Sequence, residues 1–495
     1  MTLVGGIQKS PTLFWHDYET SGINPQKDAP VQFAGLRTDY DFNPLEDPIV
    51  LYCKPVLDSL PHPDACLITG ITPGMAEENG LCEAEFIRHI HEQLARPGTC
   101  TLGYNSLRFD DEVTRNCLYR NFYDPYAREW QNGNSRWDII DVARATRALR
   151  PDGIVWPRNN EGRPDFKLEE LCKANGISHT AAHDALSDVY ATIGLAKLIR
   201  YAQPKLYSFL WQHRSKTSVL DLLQLGSFVP VVHVSGRYPA ERNCLAIVLP
   251  ICKHPSNPNG IIVYDLSVDP EPLLLLTATE IKQRIFTATE SLPEGVARIP
   301  LKTVHINKCP VLAPISVIRR DDELRLEIDL ADYCLNIDRI KNAAGLADKL
   351  SEVFIQQASE QQALDPDLAL YSGGFFADAD KHKMALVRAA TPIELSSKKY
   401  EFNDSRLPEM IFRYRARNFP ETLTTEELSR WYDFCRSKLM GLNPGAAITL
   451  GHYLARITEL KQQNHPKLDM LNALDAYAHK KMQQLNIEAD CLNIQ

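Results

Sequence analysis

Hydrophobic residues recur along the first two hundred positions with two periods, one typical of strands and one typical of helices. Three early segments rich in β-branched and aromatic residues predict strands, which open the chain as an antiparallel meander. Turn-rich stretches such as SGINPQKDAP separate them. Later segments, with apolar residues three and four positions apart, predict helices around one further strand. The predicted strands are 12–20, 31–38, 49–54 and 99–104, and the predicted helices are 84–95, 111–121, 167–175 and 185–200.

The pattern changes after Gln203 and Pro204. From about 205 to 355, short β-rich runs such as VPVVHV, CLAIVLP and GIIVYDL are divided by Pro, Gly and Asn, which predicts a small β-barrel or sandwich. A mostly helical region follows, in which TTEELSRWYDFCRSKL offers Thr425 as a helix cap with Glu427 nearby. We therefore predict three domains, at residues 1–203, 204–357 and 358–495.

Composition narrows the class of protein. The chain has 495 residues, 44% of them hydrophobic and 24% charged, which is typical of a soluble protein with several domains. We see no membrane-spanning run or secretion signal, and the 12 cysteines form no CxxC pair, so we expect a cytoplasmic protein with reduced thiols and no structural zinc. A net charge of −9 excludes a uniformly basic surface, so any contact with nucleic acid must be local.

The segment LFWHDYET holds the first pair of candidate catalytic residues. Because side chains alternate along a strand, Asp17 and Glu19 project to the same side, about 7 Å apart. Two like charges held in this way are unfavourable unless a cation compensates them or a proton neutralises one of them. A solvated strand end is the alternative, and for an isolated D-x-E it is the commoner one.

Two later segments supply further candidates. In GYNSLRFDDEV a helix begins near Asp110, which is alternatively only its N-cap. In HTAAHDALSDVYAT, Asp184 as N-cap places His183 and Asp188 next to each other across the helix entry. The alternatives are that His183 is a structural or exposed histidine and that Asp188 only complements the helix dipole.

The three segments together indicate a catalytic site more specifically than each does alone, because they occur in order within one α/β unit. Carboxylates without thiolates favour Mg²⁺ or Mn²⁺ over zinc. Two such ions about 4 Å apart would hold the attacking and leaving oxygens of a phosphodiester in line. An imidazole can accept a proton near neutral pH, so His183 is the candidate general base. The pattern predicts phosphodiester hydrolysis, with the metal ligands Asp17, Glu19, Asp110 and Asp188.

These five positions match the signature of the DEDD superfamily of 3′ to 5′ exonucleases, in its H-x4-D branch. Strings outside them, such as LITGITP, YRNFYDPY, HINKCPVLA and GFFADAD, resemble the bacterial exonuclease I family. The resemblance implies a ribonuclease-H-like α/β exonuclease domain with a mixed sheet and flanking helices, then an SH3-like β-rich domain and a helical C-terminal domain. It also implies processive degradation of single-stranded DNA to 5′-mononucleotides in DNA repair and recombination. We expect a monomer that uses two Mg²⁺ ions, which Mn²⁺ can replace.

Arginines alternate with aromatic residues between Arg108 and Arg150. Guanidinium groups bind phosphates and rings stack on unpaired bases, so this pattern predicts binding of single strands without sequence preference. Several of the rings are alternatively core residues, foremost Tyr119, Phe122 and Trp137. The resemblance implies contacts with single-stranded DNA at Glu19, Arg115, Tyr126, Trp130, Arg144 and Lys167.

Basic residues around HINKCPVLA offer a second binding surface. Lys308 and Arg319 are candidates for contact with DNA or a partner, or are ordinary solvated residues. The resemblance implies docking of the acidic C-terminal tail of single-strand-binding protein. In YRARNFP, the residues Arg413, Arg415 and Arg417 either face DNA or tie the helical region to its neighbours.

Two other functions stay open. An RNA-trimming or proofreading exonuclease of the same superfamily would keep the chemistry, although the chain length and the later motifs favour the exonuclease I family. A non-catalytic single-strand-binding scaffold would keep the fold alone. Loss of a metal carboxylate would favour the scaffold, and all four are present.

Overall fold

The computed structural model describes residues 11–179, 183–355, 365–443, 445–463 and 465–488. In these residues no helix is both long enough and apolar enough to cross a bilayer. The first part of the chain alternates strands and helices. Its elements are β1 Thr12–Thr20, β2 Pro30–Thr38, β3 Ile49–Cys53, α1 Pro63–Thr69, α2 Pro73–Asn79, β4 Gly80–Leu81, α3 Glu83–Leu94, β5 Thr99–Gly103, α4 Asp110–Arg120, β6 Ser135–Asp138, α5 Ile139–Leu149, α6 Leu168–Ala174 and α7 Ala185–Ala202.

The rest of the chain divides into a mixed part and a helical part. The mixed part contains α8 Pro204–Gln212, α9 Lys216–Leu223, β7 Val231–Val234, β8 Leu245–Lys253, β9 Gly260–Asp265, α10 Glu271–Leu275, α11 Ala278–Phe286, β10 Leu301–His305, β11 Val311–Pro314, α12 Arg320–Leu326, α13 Leu330–Lys341 and α14 Leu346–Phe354. The helical part contains α15 Asp378–Ala389, α16 Pro392–Ser397, α17 Leu407–Asn418, α18 Thr425–Leu439, α19 Leu450–Gln462 and α20 Leu468–Gln484.

Two compact units make up the described chain. The first takes its residues from Met1–Ser135, His179–Tyr190 and Gln362–Gln495, and the second from Arg136–Ser178 and Ala191–Gln361. The predicted division at 203/204 and 357/358 follows the chain order of the elements and stays a prediction.

In the first unit the strands neighbour one another in the order β4, β3, β2, β1, β5. The antiparallel meander is confirmed, because β1 pairs with β2 and β2 with β3 in antiparallel fashion, while β1 and β5 are parallel. Apolar side chains of the sheet, such as Phe14 and Phe33, pack against Phe86 of α3 and Val113 of α4. This packing fixes the start of α4 relative to the middle of β1.

In the second unit five antiparallel strands follow the order β10, β9, β8, β7, β11. The β-rich prediction is confirmed for these strands, but it missed the seven helices α8 to α14. Their sequences contain local helix signals: Thr277 and Glu280 form a capping box at the start of α11. Such short helices are easily overlooked between Pro- and Gly-rich turns, because they offer only about one to three turns of periodicity.

The cap of α18 differs by one residue from the sequence-based expectation. The hydroxyl of Thr424, not Thr425, accepts the backbone N–H of Glu427, and the Glu427 carboxylate accepts from the Thr424 backbone. A capping box pairs the N-cap with the residue three positions later, and Thr424, not Thr425, stands three positions before Glu427.

Candidate active site

Strand β1 supplies the first two carboxylates of the site. Asp17 lies opposite Ala34 of β2, and Glu19 lies opposite Gln32, so both occupy the same face of the sheet. Burial raises the pKa of Asp17 well above its usual value, and the charges of Asp110 and Asp188 raise it further. The pKa of Glu19 is raised to about 8, first by burial and then by Asp188 and Asp110. Both side chains are therefore unfavourable as bare anions.

Asp110 is the first residue of α4, and its side chain is buried. Its carboxylate accepts the backbone N–H of Tyr18 at 3.0 Å, between the two acidic residues of β1. The Thr114 hydroxyl donates to the Asp110 carbonyl at 2.8 Å. The alternative of Asp110 as an N-cap is wrong, because Phe109 occupies that position. The side chain instead joins the helix start to the acidic strand.

The start of α7 has the local geometry that the sequence predicts. The Asp184 carboxylate accepts the backbone N–H of Ser187 at 3.1 Å, as an N-cap does. Gln32 of β2 accepts the N–H of Ala185 at 3.2 Å, which holds this helix start against the sheet. His183 has a φ of 65°, in the left-handed region that few residues other than glycine adopt. Such strain is common at functional sites.

The three segments converge. One ligand atom each of Glu19, His183 and Asp188 lies within 4.8 Å of the others. The charges of Asp17, Asp110 and Asp188 also act on one another closely enough to shift the pKa of Asp17. Carboxylates that lie this close together, with raised pKa values at Asp17, Glu19 and Asp188, fit a divalent cation with a preference for oxygen ligands. We call Asp17, Glu19, Asp110, His183 and Asp188 the acidic cluster.

Sequence reasoning missed a second histidine of the site. Nε2 of His179 lies 2.5 Å from Oδ1 of Asp188, and the His179 side chain is buried. Burial raises the pKa of Asp188, while the hydrogen bond with His179 opposes that shift. The available signal was a histidine nine positions before Asp188 in HTAAHDALSD, but no local rule connects that spacing with a contact.

Arg115, a candidate for DNA contact, is buried in the first unit. Its guanidinium donates to both oxygens of Glu129, at 2.7 and 2.8 Å, and to Glu112 at 2.7 Å. It also lies over the ring of Tyr126, with 5.3 Å between Cζ and the ring centroid. These contacts make Arg115 a support for the Tyr126 ring as well as a candidate contact.

Tyr126 belongs to a group of aromatic side chains in the same unit. Its ring centroid lies 6.5 Å from that of Tyr371 and 5.9 Å from that of Phe375. Phe375 is 86% exposed and Tyr371 is 58% exposed, and Trp130 is also exposed at 66%. The sequence did not single out Tyr371 and Phe375, because they lie some 245 residues from Tyr126 along the chain. We call Tyr126, Tyr371 and Phe375 the aromatic surface.

The core alternative holds for the three aromatic residues to which it was assigned. Tyr119, Phe122 and Trp137 are all buried. Among the alternating arginines, Arg115, Arg128 and Arg136 are buried as well. The arginine and aromatic pattern therefore describes an interior more than it describes a continuous binding surface.

The remaining candidates lie in the second unit. Arg144 of α5 donates to Asp141 at 2.7 Å and lies over the Phe166 ring at 5.8 Å. Lys167, just before α6, has an exposed side chain. Lys308 is likewise exposed.

Arg319 belongs to a group of arginines around one carboxylate. Asp322 is buried and accepts hydrogen bonds from Arg319 at 2.8 Å, Arg325 at 2.9 Å and Arg150 at 3.3 Å. Burial alone would raise the pKa of Asp322, but Arg319 and Arg325 lower it to about 2. Three guanidinium groups thus share this carboxylate, and we call them the arginine group.

The arginines of YRARNFP make contacts inside the first unit. Arg417 binds Asp58 and Asp367, both at contacts below 3 Å, and Arg413 binds Asp365 and Asp367. Of the two alternatives, Arg417 follows the one in which it ties the helical region to the rest of the unit, through Asp58, whereas the carboxylates that Arg413 binds belong to the helical region itself.

Three family models match successive parts of the chain. They are Exonuclease at residues 14–196, Exonuclease I SH3-like domain at 214–356 and Exonuclease I C-terminal domain at 364–481. The fold class expected from the sequence is thereby confirmed, from the mixed sheet with helices through the SH3-like domain to the C-terminal domain.

Individual proteins are similar over nearly the whole chain. Exodeoxyribonuclease I of Escherichia coli is 44% identical, over 96% of this chain and 99% of its own. The structure of an exonuclease I from Methylocaldum szegediense has 52% identity and a TM-score of 0.91, and covers 95% of this chain and 100% of its own. The zinc-bound complex of E. coli ExoI with ssDNA has 44% identity and a TM-score of 0.90, with 96% and 100% covered. An ExoI/SSB-Ct complex has 44% identity and a TM-score of 0.88, with the same coverage.

Proposed function

We propose that this chain, which belongs to the exodeoxyribonuclease I family, cleaves single-stranded DNA from the 3′ end at the acidic cluster. The Exonuclease domain implies dependence on a divalent metal ion. Mg²⁺ is the ion that we assign to it, with Mn²⁺ as a substitute, because carboxylate oxygens are the donors that both ions prefer.

One observation supports this proposal above all others. The three chain segments bring buried carboxylates so close that burial and mutual repulsion raise the pKa values of Asp17 and Glu19. A fold keeps such an arrangement only if something compensates the charge. Asp17, Glu19, Asp110 and Asp188 would hold two ions, which supply charge neutralisation at the scissile phosphate.

The protein residues have separate tasks in the hydrolysis. The carboxylates would hold the ions in place, and the charge of those ions would attract the phosphodiester of the terminal nucleotide. His183 accepts a proton from the attacking water as the new O–P bond forms. The bond between phosphorus and the 3′ oxygen breaks, and the 3′ oxygen takes a proton from solvent water. This leaves a 3′ hydroxyl on the shortened strand and releases a 5′-mononucleotide. The position of a His183 ring nitrogen within 4.8 Å of carboxylate oxygens of Glu19 and Asp188 supports this role.

The aromatic surface and exposed Trp130 supply stacking faces for unpaired bases. Stacking of this kind tolerates any sequence and contributes about 1 to 3 kcal/mol for each base. In the second unit, Arg144 and Lys167 supply positive charge for backbone phosphates. Arg115 acts in this scheme mainly through Tyr126, because two carboxylates already hold its guanidinium.

The arginine group is the binding site that we assign to the acidic C-terminal tail of single-strand-binding protein. Arg150, Arg319 and Arg325 converge on the carboxylate of Asp322, and guanidinium groups are the donors that bind the carboxylates of an acidic ligand most strongly. The partner named in the ExoI/SSB-Ct structure supports this assignment. A labelled tail peptide should bind the parent protein and bind Arg319→Glu at least about tenfold more weakly. Equal binding would remove the arginine group from this role.

The activity is tested with single-stranded DNA labelled at its 5′ end, incubated with and without Mg²⁺. Duplex DNA and RNA of the same sequence serve as substrate controls, and His183→Ala serves as the matched variant. We expect a metal-dependent ladder that shortens from the 3′ end, confined to single-stranded DNA and lost in the variant.

Other outcomes favour the alternative functions. Faster cleavage of RNA than of DNA would favour a trimming exonuclease. Binding of single strands without cleavage in either metal would favour a scaffold. Full activity of His183→Ala would keep the exonuclease but remove His183 as its general base.

A further inference from the structure

We propose that His179 is a positioning residue, which orients the Asp188 carboxylate for metal binding. This inference rests on the proposed metal site and extends it by one residue outside the acidic cluster. It concerns the contact between Nε2 of His179 and Oδ1 of Asp188, at 2.5 Å.

The geometry suits a fixed hydrogen bond. The His179 side chain is 6% exposed and that of Asp188 is 17% exposed, so water competes little for the contact. In the tautomer that carries its proton on Nε2, His179 donates to Asp188, which as an ionised carboxylate can only accept. Rotation about the terminal bond of an aspartate side chain is otherwise broad. A bond to one oxygen restricts that rotation and sets the direction of the other.

The two histidines of HTAAHDALSD take different places around Asp188. His183 lies within 4.8 Å of both Glu19 and Asp188, on the side where the ligand atoms gather. His179 contacts Asp188 from a buried position. This difference separates a residue that exchanges protons with the reacting water from a residue that holds a ligand in place.

Residues that orient a metal ligand have a measurable effect on the affinity for the metal ion. Removal of such a partner typically lowers metal affinity by about 10- to 100-fold, because the ligand must then lose its freedom when the ion binds. We therefore expect His179 to affect metal affinity more than the cleavage rate at saturating metal.

The test is calorimetric titration of Mn²⁺ and Mg²⁺ into the full chain, without DNA. His179→Leu removes the donor and keeps much of the volume. His179→Gln keeps an N–H at about the distance of Nε2. His479→Leu is the matched control, since it removes a histidine that contacts an aspartate, Asp475, at 3.4 Å on an exposed helix surface. Asp188→Asn reports on the metal site itself.

We expect His179→Leu to bind the ions 10- to 100-fold more weakly than the parent, at about the magnitude known for orienting residues. His179→Gln should recover most of the affinity, and His479→Leu should match the parent. Single-turnover cleavage at saturating Mg²⁺ should change little in His179→Leu. Thermal unfolding of the metal-free variants identifies any variant that fails to fold. If His179→Leu fails, His179→Asn, whose amide is too short to reach Asp188, takes its place with the same expected loss of affinity.

Three results would overturn the inference. Parent-like affinity in His179→Leu would make the contact incidental. Tighter binding would make His179 a competitor of the ion for Asp188. Unchanged affinity with a lost single-turnover rate would give His179 a chemical role. If Asp188→Asn also binds metal like the parent, the proposed metal site fails, and this result is separate from the failure of the His179 inference.

Discussion

Two groups of buried carboxylates in the first unit differ in what surrounds them. In the acidic cluster, the charges that act most on Asp17 and Glu19 are those of other carboxylates. In the second group, Asp58 and Asp367 contact arginine and lysine side chains. We call the second group the ion-pair cluster, and its members are Asp58, Asp367, Arg413, Arg417 and Lys438.

The pKa values move in opposite directions in the two clusters. Burial would raise the pKa of Asp58, but Arg417 and Lys438 hold it well below its usual value. Arg417 and Arg413 likewise lower the pKa of Asp367 to about 2, against the effect of burial. Burial alone therefore does not identify a functional site. A cluster whose own side chains compensate the charge is structural, whereas a cluster of mutually repelling carboxylates is suited to an external cation.

The largest expected effect is on cleavage, in Asp17→Asn. We expect the single-turnover rate to fall about a thousandfold or more, because a metal ligand is lost while the side-chain shape is kept. Without metal, urea unfolding should show equal or greater stability, because one of the repelling charges is removed. A parent-like cleavage rate would place Asp17 outside the metal site.

The opposite pattern is expected in the ion-pair cluster. Arg417→Met leaves the Asp58 and Asp367 charges without their shared partner, and should lower the free energy of unfolding by about 3–5 kcal/mol. Cleavage by the folded fraction should persist. The matched control is Arg430→Met, which removes an exposed arginine that pairs with Glu409. We expect a change below about 1 kcal/mol there, and equal losses in both variants would contradict the comparison.

The pH dependence of stability gives a smaller effect with a defined sign. The folded-state pKa of Asp367 is about 2, below the usual value of 3.8. The ionised Asp367 therefore contributes its full stabilisation above about pH 4. This contribution is lost as the pH falls toward 2, which lowers the free energy of unfolding by about 2 kcal/mol. In Asp367→Asn, the free energy of unfolding in urea should fall less between pH 5 and pH 2 than it does in the parent. An unchanged slope would show that Asp367 is not held as an anion.

The smallest expected effect is on single-strand binding, in a variant that displaces the guanidinium of Arg144. Arg144 pairs with Asp141, and a Cβ built on Gly236 would lie 2.7 Å from the Arg144 Cζ. Gly236→Ala should displace the guanidinium and weaken single-strand binding severalfold. The salt dependence should become shallower by about 0.7 for each lost phosphate contact, as in Arg144→Ala. Gly74→Ala, where the nearest atom lies at 3.8 Å, is the control. A parent-like salt slope would remove Arg144 from phosphate binding.

Local rules predicted much of the fold around the site. The strand at Thr12–Thr20 has the bounds that its alternation indicated, and Asp184 caps α7 as its spacing required. The helices α8 to α14 were missed because each is short, and the cap of α18 was misplaced by one residue. The contact of His179 with Asp188 had no local signature, because neither capping nor periodicity relates two positions that are nine residues apart.

The sequence by itself determined which residues share a face: Asp17 with Glu19 along a strand, and His183 with Asp188 across a helix entry. Periodicity and capping act over a few residues, so a short stretch of sequence is enough to predict these relations. Only the tertiary structure decided what surrounds each charge. The bond between Tyr18 and Asp110 spans 92 residues, and the one between Arg417 and Asp58 spans 359. The first holds the Asp110 carboxylate beside the acidic residues of β1, and the second pairs a carboxylate with its counter-ion. Because the electrostatic energy of a buried group depends on its neighbours in space, the same residue type serves binding in one place and stability in the other.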